Sequence, residues 1–366
     1  MPRRATASAV EADPEEFSPA IARVSVARPV SLRDVAKWAK VSVATVSMVL
    51  NDNPRISRAT HLRVQKVIDQ AGYRPNRLAQ SLSSRYTRVL AVLLPALRHG
   101  FGDAYFGELI SGICDKAGKI GYKVMLEQAK PEFIKGREHI EIFERRYVDG
   151  ILCLGCNDRH HFLSEFVDRR YPLVVVDNYF KQWDLDHVVC NYRAGAEQVM
   201  NYLLQLGHRK IGFINAALEV STARDRQDVF TDRLVSAGIA LRSAWMADGR
   251  FTEAGGAQAA EKILKAAPDV TAIFAGNDKM ALGAMHYCSL SGIRVPQDIS
   301  VIGFDDMQHA AFANPSLTSV HLPLYEVGAL ACERLIERIR GKIERVAEVL
   351  PTHLVVREST GMSRQD

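Results

Sequence analysis

The chain has 366 residues, of which 47% are hydrophobic and 24% are charged. This length allows two or three domains, each with its own buried core. No stretch approaches 18 consecutive apolar residues, and the first 30 residues contain no apolar signal segment, which argues against a membrane protein and against a secreted one. We therefore expect a cytoplasmic protein that has no membrane partner.

Charge is distributed unevenly along the chain. Residues 1–30 contain four arginines and four acidic residues, so we expect a disordered arm without net charge. Residues 31–90 contain eleven lysines and arginines against three aspartates, a balance of +8, whereas the whole chain has +5. Residues 91–366 therefore carry −3. Such a concentration is typical of a domain that binds nucleic-acid phosphates, and a merely solvated charged face is the alternative.

Residues 31–74 predict three short helices, the first two of them separated by a tight turn. Ser31, Ser42 and Ser57 are favourable N-caps, and Gly72 is a favourable end for the third helix. In a helix-turn-helix domain the second helix lies in the major groove of DNA. We expect the third helix to close a small core with Leu62, Val64, Val67 and Ile68.

From residue 87 onward, short apolar runs alternate with amphipathic segments. The runs include RVLAVLLP, DGILCLGC, YPLVVVDN, RKIGFIN, VTAIFAGN and DISVIGFDD. This alternation predicts parallel sheets flanked by helices, because parallel strands are buried on both faces. The runs form two successive sets, which indicates two α/β lobes with a cleft between them, where small molecules bind.

Two groups of motifs resemble the LacI family of transcriptional regulators. One group is SLRDVAKWAKVSVATVSMVLN, ISRAT and GYRPNRLAQSL, and the other includes LGHRKIGFI, FAGNDKMALG and RVPQDISVIGFDD. The resemblance covers about residues 31–360. It implies a small all-α helix-turn-helix domain followed by an α/β periplasmic-binding-protein-like type I fold with two doubly wound parallel-sheet lobes.

The resemblance also implies the domain limits. They are an arm at 1–30, the helix-turn-helix domain at 31–74, a hinge helix and linker at 75–86, an N-terminal lobe at 87–190 plus 323–351, and a C-terminal lobe at 191–321 plus 353–362. Pro75 begins the hinge segment, which is too short to be a stable helix by itself. In the family two such helices pair in the minor groove, where the residue at the position of Leu82 wedges into the central step.

The resemblance implies DNA contacts for fourteen residues: Leu32, Ser42, Val43, Ala44, Thr45, Ser47, Met48, Asn51, Ser57, Thr60, Tyr73, Asn76, Ala79 and Leu82. Among them Val43, Ala44 and Met48 would meet base edges. All three are apolar, whereas many relatives have arginine or histidine where Met48 stands. Apolar side chains recognise thymine methyl groups and DNA shape, so we expect a thymine against Ala44 or Met48.

Effector-binding positions of the family fall on eight residues of the second region: Tyr105, Phe106, Asp177, Thr222, Arg226, Phe274, Asn277 and Asp305. Carboxylate, amide and guanidinium groups among aromatic rings suit a polyhydroxylated ligand, so we expect a carbohydrate effector. Helix capping and core packing are the alternatives for Asn277, Asp305 and Phe274. Val220 stands where the purine-binding members have arginine, which argues against a purine.

These features predict a homodimeric, allosteric repressor that binds a pseudopalindromic operator under the control of a small molecule. The alternatives are a transcriptional activator of the same family and a solute-binding protein without a DNA role. We expect no enzyme, since the sequence has no phosphate-binding glycine loop and no nucleophile motif. The six cysteines are expected to be reduced and mostly buried, and we expect no cofactor and no metal site.

Overall fold

The computed structural model describes residues 30–50, 53–73, 86–96, 102–342 and 344–364. Residues 1–29 of the arm and residues 75–85 of the hinge segment lie outside these ranges. The chain divides into two compact units, residues 1–85 and 86–366, which are described separately. Within the described ranges, no helix has the length and apolar character needed to span a membrane.

The first unit contains three helices, which are α1 (Leu32–Ala39), α2 (Val43–Leu50) and α3 (Arg58–Ala71). Their buried apolar side chains form one small core that includes Val35, Val46, Val49 and Val64. The expectation for Leu62 is wrong, because its side chain is 61% exposed. Val64 and Ile68 are buried four residues apart on one face of α3, and Leu62 lies off that face.

Local hydrogen bonds set the ends of these helices. Ser31 and Asp34 form a complete capping box, in which the Ser31 backbone nitrogen donates to the Asp34 carboxylate at 2.9 Å. Lys40 ends α1 in the left-handed conformation, with φ 52°, and Gly72 ends α3 in the same conformation. The left-handed backbone at Lys40 costs about 1 kcal/mol relative to glycine, so the tight turn is formed against a local preference.

The second unit contains a six-stranded parallel sheet with the order β11-β5-β4-β3-β1-β2. Its strands are β1 (Val89–Pro95), β2 (Lys123–Ala129), β3 (Gly150–Leu154), β4 (Leu173–Val176), β5 (Asp186–Cys190) and β11 (Ala347–Leu350). Alternate residues of β1 enter two different cores, Leu90 and Val92 on one face and Ala91 and Leu93 on the other. Both faces are therefore covered.

Helices from distant parts of the chain cover this sheet. They are α4 (Ala104–Ile120), α5 (Pro131–Lys135), α6 (Glu138–Glu144), α7 (Leu163–Arg169) and α13 (Leu324–Ile339). Helix α13 packs against α4 and against β3, β4 and β5. Gly112 and Gly328 allow the close approach of α4 and α13, since a Cβ atom at Gly112 would lie 1.9 Å from the Tyr325 carbonyl oxygen.

A four-stranded parallel sheet with the order β7-β6-β8-β9 forms the second lobe. Its strands are β6 (Ile211–Asn215), β7 (Met246–Asp248), β8 (Ala272–Ala275) and β9 (Ser300–Ile302). The helices around it are α8 (Tyr192–Gln205), α9 (Ser221–Ser236), α10 (Glu253–Ala266), α11 (Asp278–Leu290) and α12 (Gln308–Phe312). The two parallel sheets with helices on both faces confirm the α/β fold that the alternating pattern predicts.

The chain passes between the two sheets at three places. It leaves the first sheet at Asn191, returns between β10 (Ser319–His321) and α13, and leaves again between β11 and β12 (His353–Val355). Strands β10 and β12 pair in an antiparallel ladder, and the Thr352 hydroxyl donates to the Asn191 carbonyl at 3.0 Å. The three connecting segments therefore lie side by side.

One expectation about the cysteines is wrong. Cys153 and Cys156 are joined in a disulfide, because the chain turns at Gly155, with φ 59°, directly after β3 and brings Cys156 back beside Cys153. Of the remaining cysteines, Cys114 is exposed, and the free thiols of Cys190, Cys288 and Cys332 are buried. Within the described ranges, no group of three or more histidine, cysteine or acidic residues could hold a metal ion.

Candidate functional site

Helix α2 presents an apolar surface to solvent. Val43 is 41% exposed and Met48 is 37% exposed, and Ala44 is exposed as well. Val46 and Val49 on the opposite face enter the core, so the helix is fixed with these three side chains outward. The arrangement places the three expected base-reading residues together on one accessible helix.

The hydroxyl residues of this unit form short capping pairs. The Thr45 backbone nitrogen donates to the Ser42 hydroxyl at 3.0 Å, and the Thr60 backbone nitrogen donates to the Ser57 hydroxyl at 3.3 Å. Ser42 and Ser57 thus begin α2 and α3 as N-caps. Tyr73 is buried against the core.

Two further expected DNA contacts, Leu32 and Ser47, are half-buried. Four expected DNA-contacting residues lie outside the described ranges: Asn51, Asn76, Ala79 and Leu82.

In the second unit, Asp177 organises two tyrosines. It follows β4, is buried and has φ 54°. One of its carboxylate oxygens accepts hydrogen bonds from the hydroxyls of Tyr105 and Tyr192, the latter at 2.5 Å, and the other accepts from the Cys190 backbone nitrogen at 3.1 Å. Burial and the Asp177 charge raise the pKa of both tyrosines well above its usual range, so both remain neutral donors.

Arg226 occupies the neighbouring position on α9. Its guanidinium carbon lies 4.9 Å from the centroid of the Tyr192 ring and 5.3 Å from that of the Phe304 ring. The side chain is 98% buried, yet its Nε atom has no hydrogen-bond partner among the described residues. Burying a guanidinium costs free energy unless its N–H groups are hydrogen-bonded. We therefore expect the Nε–H group of Arg226 to donate to an acceptor on a bound ligand.

Two acceptors lie close to Arg226. Asn215 at the end of β6 is buried, and its amide nitrogen donates to the Ala223 carbonyl at 2.9 Å, while its Oδ1 atom has no partner in the described structure. Asp305 is 92% buried, and none of the described residues donates a hydrogen bond to its carboxyl group.

The charge around Asp305 is predominantly negative. Burial raises the pKa of the Asp305 carboxyl well above its usual range, and the carboxylate of Asp278 raises it further. The Arg226 guanidinium lowers this pKa, and the carboxylates of Asp177 and Asp103 raise it. Asp305 is therefore held in an environment with more acidic than basic groups.

Four of the expected effector residues lie together in the structure. Tyr105, Asp177, Arg226 and Asp305 form one cluster through the contacts described above. Phe106 is buried and packs edge-on against Tyr105, with ring centroids 5.3 Å apart.

Thr222, Phe274 and Asn277, which are also expected effector residues, take part in core packing or helix capping. Thr222 is buried in the first turn of α9. Phe274 is fully buried against Phe213, with ring centroids 5.0 Å apart, and its ring centroid lies 6.3 Å from that of Phe304 in the cluster. The side-chain amide oxygen of Asn277 accepts from the Met280 backbone nitrogen at 2.9 Å, so this side chain caps α11.

Sequence reasoning missed three members of the cluster, Tyr192, Phe304 and Asn215. Tyr192 and Phe304 stack with ring centroids 5.4 Å apart and together form the surface under Arg226. The sequence does contain a signal for Asn215 and Phe304, because Asn215 ends the β6 run and Phe304 directly precedes Asp305 after β9. Parallel strands end at one edge of a sheet, so residues at those ends meet.

Ion pairs connect the lobes around the cluster. The Lys279 ammonium at the start of α11 lies 2.6 Å from the carboxylate of Asp103, the N-cap of α4. Arg224 on α9 lies 2.5 Å from the carboxylate of Asp158. The cluster is thus enclosed between the two lobes.

Comparison with known proteins gives matches along nearly the whole chain. Residues 31–76 match the family model for bacterial regulatory proteins of the lacI family, and residues 200–360 match that for a periplasmic binding protein-like domain. A transcriptional repressor, PurR of Vibrio vulnificus (strain CMCP6), is 34% identical over 90% of this chain and 98% of its own length.

Two solved structures extend the similarity. A complex of the transcriptional regulator CelR with cellobiose has a TM-score of 0.70 and 29% identity, covering 90% of this chain and 99% of its own. A lac repressor dimer bound to operator and the anti-inducer ONPF has a TM-score of 0.80 and 25% identity, covering 91% of this chain and 100% of its own.

Proposed function

Because the chain belongs to the lacI family of bacterial regulatory proteins, we propose that it is a transcriptional repressor whose operator affinity is set by a small-molecule effector. The similar proteins include a repressor named PurR, and two similar structures contain cellobiose and an operator with an anti-inducer. Its place of action is then the cytoplasm, and it acts as a binding protein without catalysis.

The first unit supports the DNA-binding part of this proposal. The +8 balance of residues 31–90 provides the phosphate attraction, and the exposed side chains of Val43, Ala44 and Met48 provide the groove surface. An apolar helix surface cannot donate hydrogen bonds to guanine. The operator half-site should therefore place a thymine methyl group against Ala44 or Met48.

Assembly as a homodimer follows from the mode of operator binding. Two helix-turn-helix units read two half-sites, so the operator should be pseudopalindromic. Large apolar side chains on the second lobe support a subunit contact, since Leu290 of α11 is 76% exposed and Phe312 of α12 is 80% exposed. We extend the proposal to the segment at 75–86 as a hinge, with Leu82 as its minor-groove wedge.

The observation that carries the effector part is the set of unpaired buried groups at the cluster. The Arg226 Nε atom needs an acceptor, while Asn215 Oδ1 and the Asp305 carboxyl need donors. A hydroxyl group is both donor and acceptor, and the aromatic floor of Tyr192 and Phe304 suits the C–H face of a sugar. The effector is therefore a carbohydrate or a similar polyhydroxylated molecule.

The cluster also supports the coupling of effector and DNA. Asp177 belongs to the first lobe and Arg226 to the second, and Tyr192 contacts both of them, so a ligand that binds beside Tyr192 changes the stability of this link between the lobes. Such coupling is reciprocal, so operator binding must change the effector affinity by the same factor by which the effector changes the operator affinity. The lobe limits given above, 87–190 with 323–351 and 191–321 with 353–362, are part of this proposal.

A DNA selection on the purified full-length protein tests the proposal, performed with and without a pool of sugars. We expect a two-fold symmetric site with a thymine opposite the apolar helix and an occupancy that one sugar changes. A symmetric site that no sugar affects would reject the effector part. Folded protein that enriches no site at low salt would reject the DNA-binding part.

A further inference from the structure

The proposed repressor mechanism makes no use of the disulfide between Cys153 and Cys156. Cys153 is the fourth residue of β3, and Cys156 follows the turn at Gly155. Both cysteines are buried among apolar side chains that include Phe162 and Phe180. In the cytoplasm most thiols stay reduced, and the disulfides that form there are typically transient and serve catalysis or redox sensing. The place of action proposed above therefore favours a redox role for this pair over a permanent cross-link.

The backbone of Cys156 is joined to the second lobe through Asn178. The Asn178 side-chain amide nitrogen donates to the Cys156 carbonyl. Its amide oxygen accepts from the Ser221 backbone nitrogen at 3.2 Å and also from the Ser221 hydroxyl. Ser221 is the first residue of α9, the helix that carries Arg226. One buried amide therefore links the disulfide in the first lobe to the start of a helix in the second.

The residues directly after Cys156 make further contacts between the lobes. The Asp158 backbone nitrogen donates to the Glu219 carbonyl at 3.0 Å, and the Asp158 carboxylate lies 2.5 Å from the Arg224 guanidinium. We call residues 156–159 the bridging segment. Because these contacts begin two residues from Cys156, a change in the position of that cysteine is passed directly to them.

We propose that Cys153 and Cys156 form a redox-sensing pair that controls the contact of the bridging segment with the second lobe. A thiolate of the reduced pair attacks a low-molecular-weight disulfide, forms a mixed disulfide and releases one thiol. The other cysteine attacks the mixed disulfide, which closes the Cys153–Cys156 bond and releases the second thiol. Two electrons and two protons thus pass from the protein to the small disulfide, and reduction is the reverse.

The disulfide restricts the bridging segment to a position close to β3. Reduction removes this restraint, so the segment gains conformational freedom and its contacts with the second lobe are formed at a larger entropic cost. We therefore expect the link between the lobes to be weaker in the reduced protein. Both sulfur atoms are buried, so exchange with a small disulfide requires local opening of the segment. The inference rests on the proposed cytoplasmic repressor and adds oxidation as a second signal.

The test uses the full-length protein in glutathione buffers of defined ratio of reduced to oxidised form. Alkylation and mass spectrometry of peptides should show that the Cys153–Cys156 bond forms and breaks reversibly as this ratio changes. Hydrogen–deuterium exchange is then compared in the two states. Peptides that cover residues 156–159 and 218–224 should exchange roughly threefold to tenfold faster in the reduced protein, as the weakening of one or two hydrogen bonds allows. Peptides of α10 should not change.

Three variants assign the response to the pair. The double variant Cys153→Ala with Cys156→Ala should exchange at the rate of the reduced protein in every buffer. Cys114→Ala removes an exposed free thiol and is the matched control, so it should keep the full response. Asn178→Ala should keep the response of the bridging segment and reduce that of residues 218–224.

Two results would overturn the inference. Cysteines that remain unlinked in oxidised glutathione, or a bond that reduced glutathione does not break in folded protein, would exclude a redox-sensing pair. A reversible bond without any change at residues 218–224 would show a local cross-link that does not reach the second lobe. Neither measurement uses DNA or a sugar, so failure here is distinct from failure of the DNA selection that tests the proposed function.

Discussion

Arg226 and Tyr192 form a cation–π pair in which the guanidinium carbon lies 4.9 Å from the ring centroid. The Tyr192 hydroxyl donates to Asp177 at the end of β4, so the pair links a helix of the second lobe to a strand of the first. The guanidinium is thereby held in place by its ring contacts while its Nε atom has no partner in the described structure. A ligand that contacts Arg226 is therefore linked to the first lobe through Tyr192 and Asp177.

Replacing Arg226 should separate ligand binding from stability. Arg226→Met keeps most of the side-chain volume and removes a buried charge with an unpaired donor, so we expect a free energy of unfolding that is unchanged or higher. Effector affinity should fall at least about tenfold, since a charged hydrogen-bond donor is lost. Urea denaturation and calorimetry measure the two quantities.

Arg233 provides the matched control on the same helix. Its Nε atom is also buried without a partner, but it lies two turns further along α9. Arg233→Met should therefore leave effector affinity unchanged. Equal losses of affinity in the two variants would indicate a general disturbance of α9 and would contradict the role given to Arg226.

The tyrosine hydroxyls on Asp177 should contribute measurably to stability. Tyr105→Phe and Tyr192→Phe each remove one donor from a buried carboxylate, which should cost about 1–3 kcal/mol of unfolding free energy. The two losses should not add, because the first variant leaves Asp177 with one tyrosine donor and the double variant leaves it with none. Chemical denaturation of the single and double variants measures this coupling, and strict additivity would contradict a shared acceptor.

Stability should depend on pH through Asp278. Burial raises the pKa of this carboxyl to about 7, so the folded state holds its proton over a range in which the unfolded state has lost it. Stability should therefore fall as pH rises from about 4 to 7, by up to about 1.4 kcal/mol per pH unit for one proton. Asp305 acts with the same sign, since burial raises its pKa as well.

The variant Asp278→Asn isolates this contribution. Asparagine resembles the protonated carboxyl, since its amide oxygen can accept from the Met307 backbone nitrogen and its amide nitrogen can donate to the Ser319 hydroxyl, so the variant should be about as stable as the parent protein at pH 5. Its unfolding free energy should then change less steeply between pH 5 and pH 7. A slope equal to that of the parent protein would assign the dependence to other groups.

The glycines of α4 give a paired test of helix packing. Gly112→Ala places a Cβ atom 1.9 Å from the Tyr325 carbonyl oxygen, so α4 and α13 must separate, at a cost of about 1–3 kcal/mol or more. Gly118→Ala on the same helix meets nothing within 4 Å and should stabilise the protein by roughly 0.5–1 kcal/mol. Thermal denaturation distinguishes the two directions, and a shift of the same sign for both would contradict the packing argument.

Patterns that depend on neighbouring residues could be predicted from the sequence. The caps at Ser31, Ser42 and Ser57 are local hydrogen bonds, and the alternation of strands and helices follows from burial along each segment. Val64 and Ile68 were expected in the core together with Leu62, which is exposed. Apolar character alone did not identify the face of α3 that the other helices cover.

The cluster around Asp177 and Arg226 was predictable only in part, because it is assembled from distant segments. Asp177, Arg226 and Asp305 could be named from strand ends and from family motifs. The contribution of Tyr192 depends on where the chain crosses between lobes, which no local pattern defines. The Asn277 side chain caps α11, the alternative that its place before a helix allows. The disulfide of Cys153 and Cys156 depends on the turn at Gly155, which spacing by itself does not define.

The first sheet has an edge strand, β11, and a covering helix, α13, that come from residues 324–350, whereas its other strands end by residue 190. During synthesis the second lobe's strands β6 to β9 emerge before the pieces that complete the first lobe. Until α13 and β11 emerge, the nascent first sheet therefore has part of one face and one edge uncovered, which leaves it open to chaperones and to aggregation. The order of translation thus makes completion of the first lobe a late event in the biogenesis of this protein.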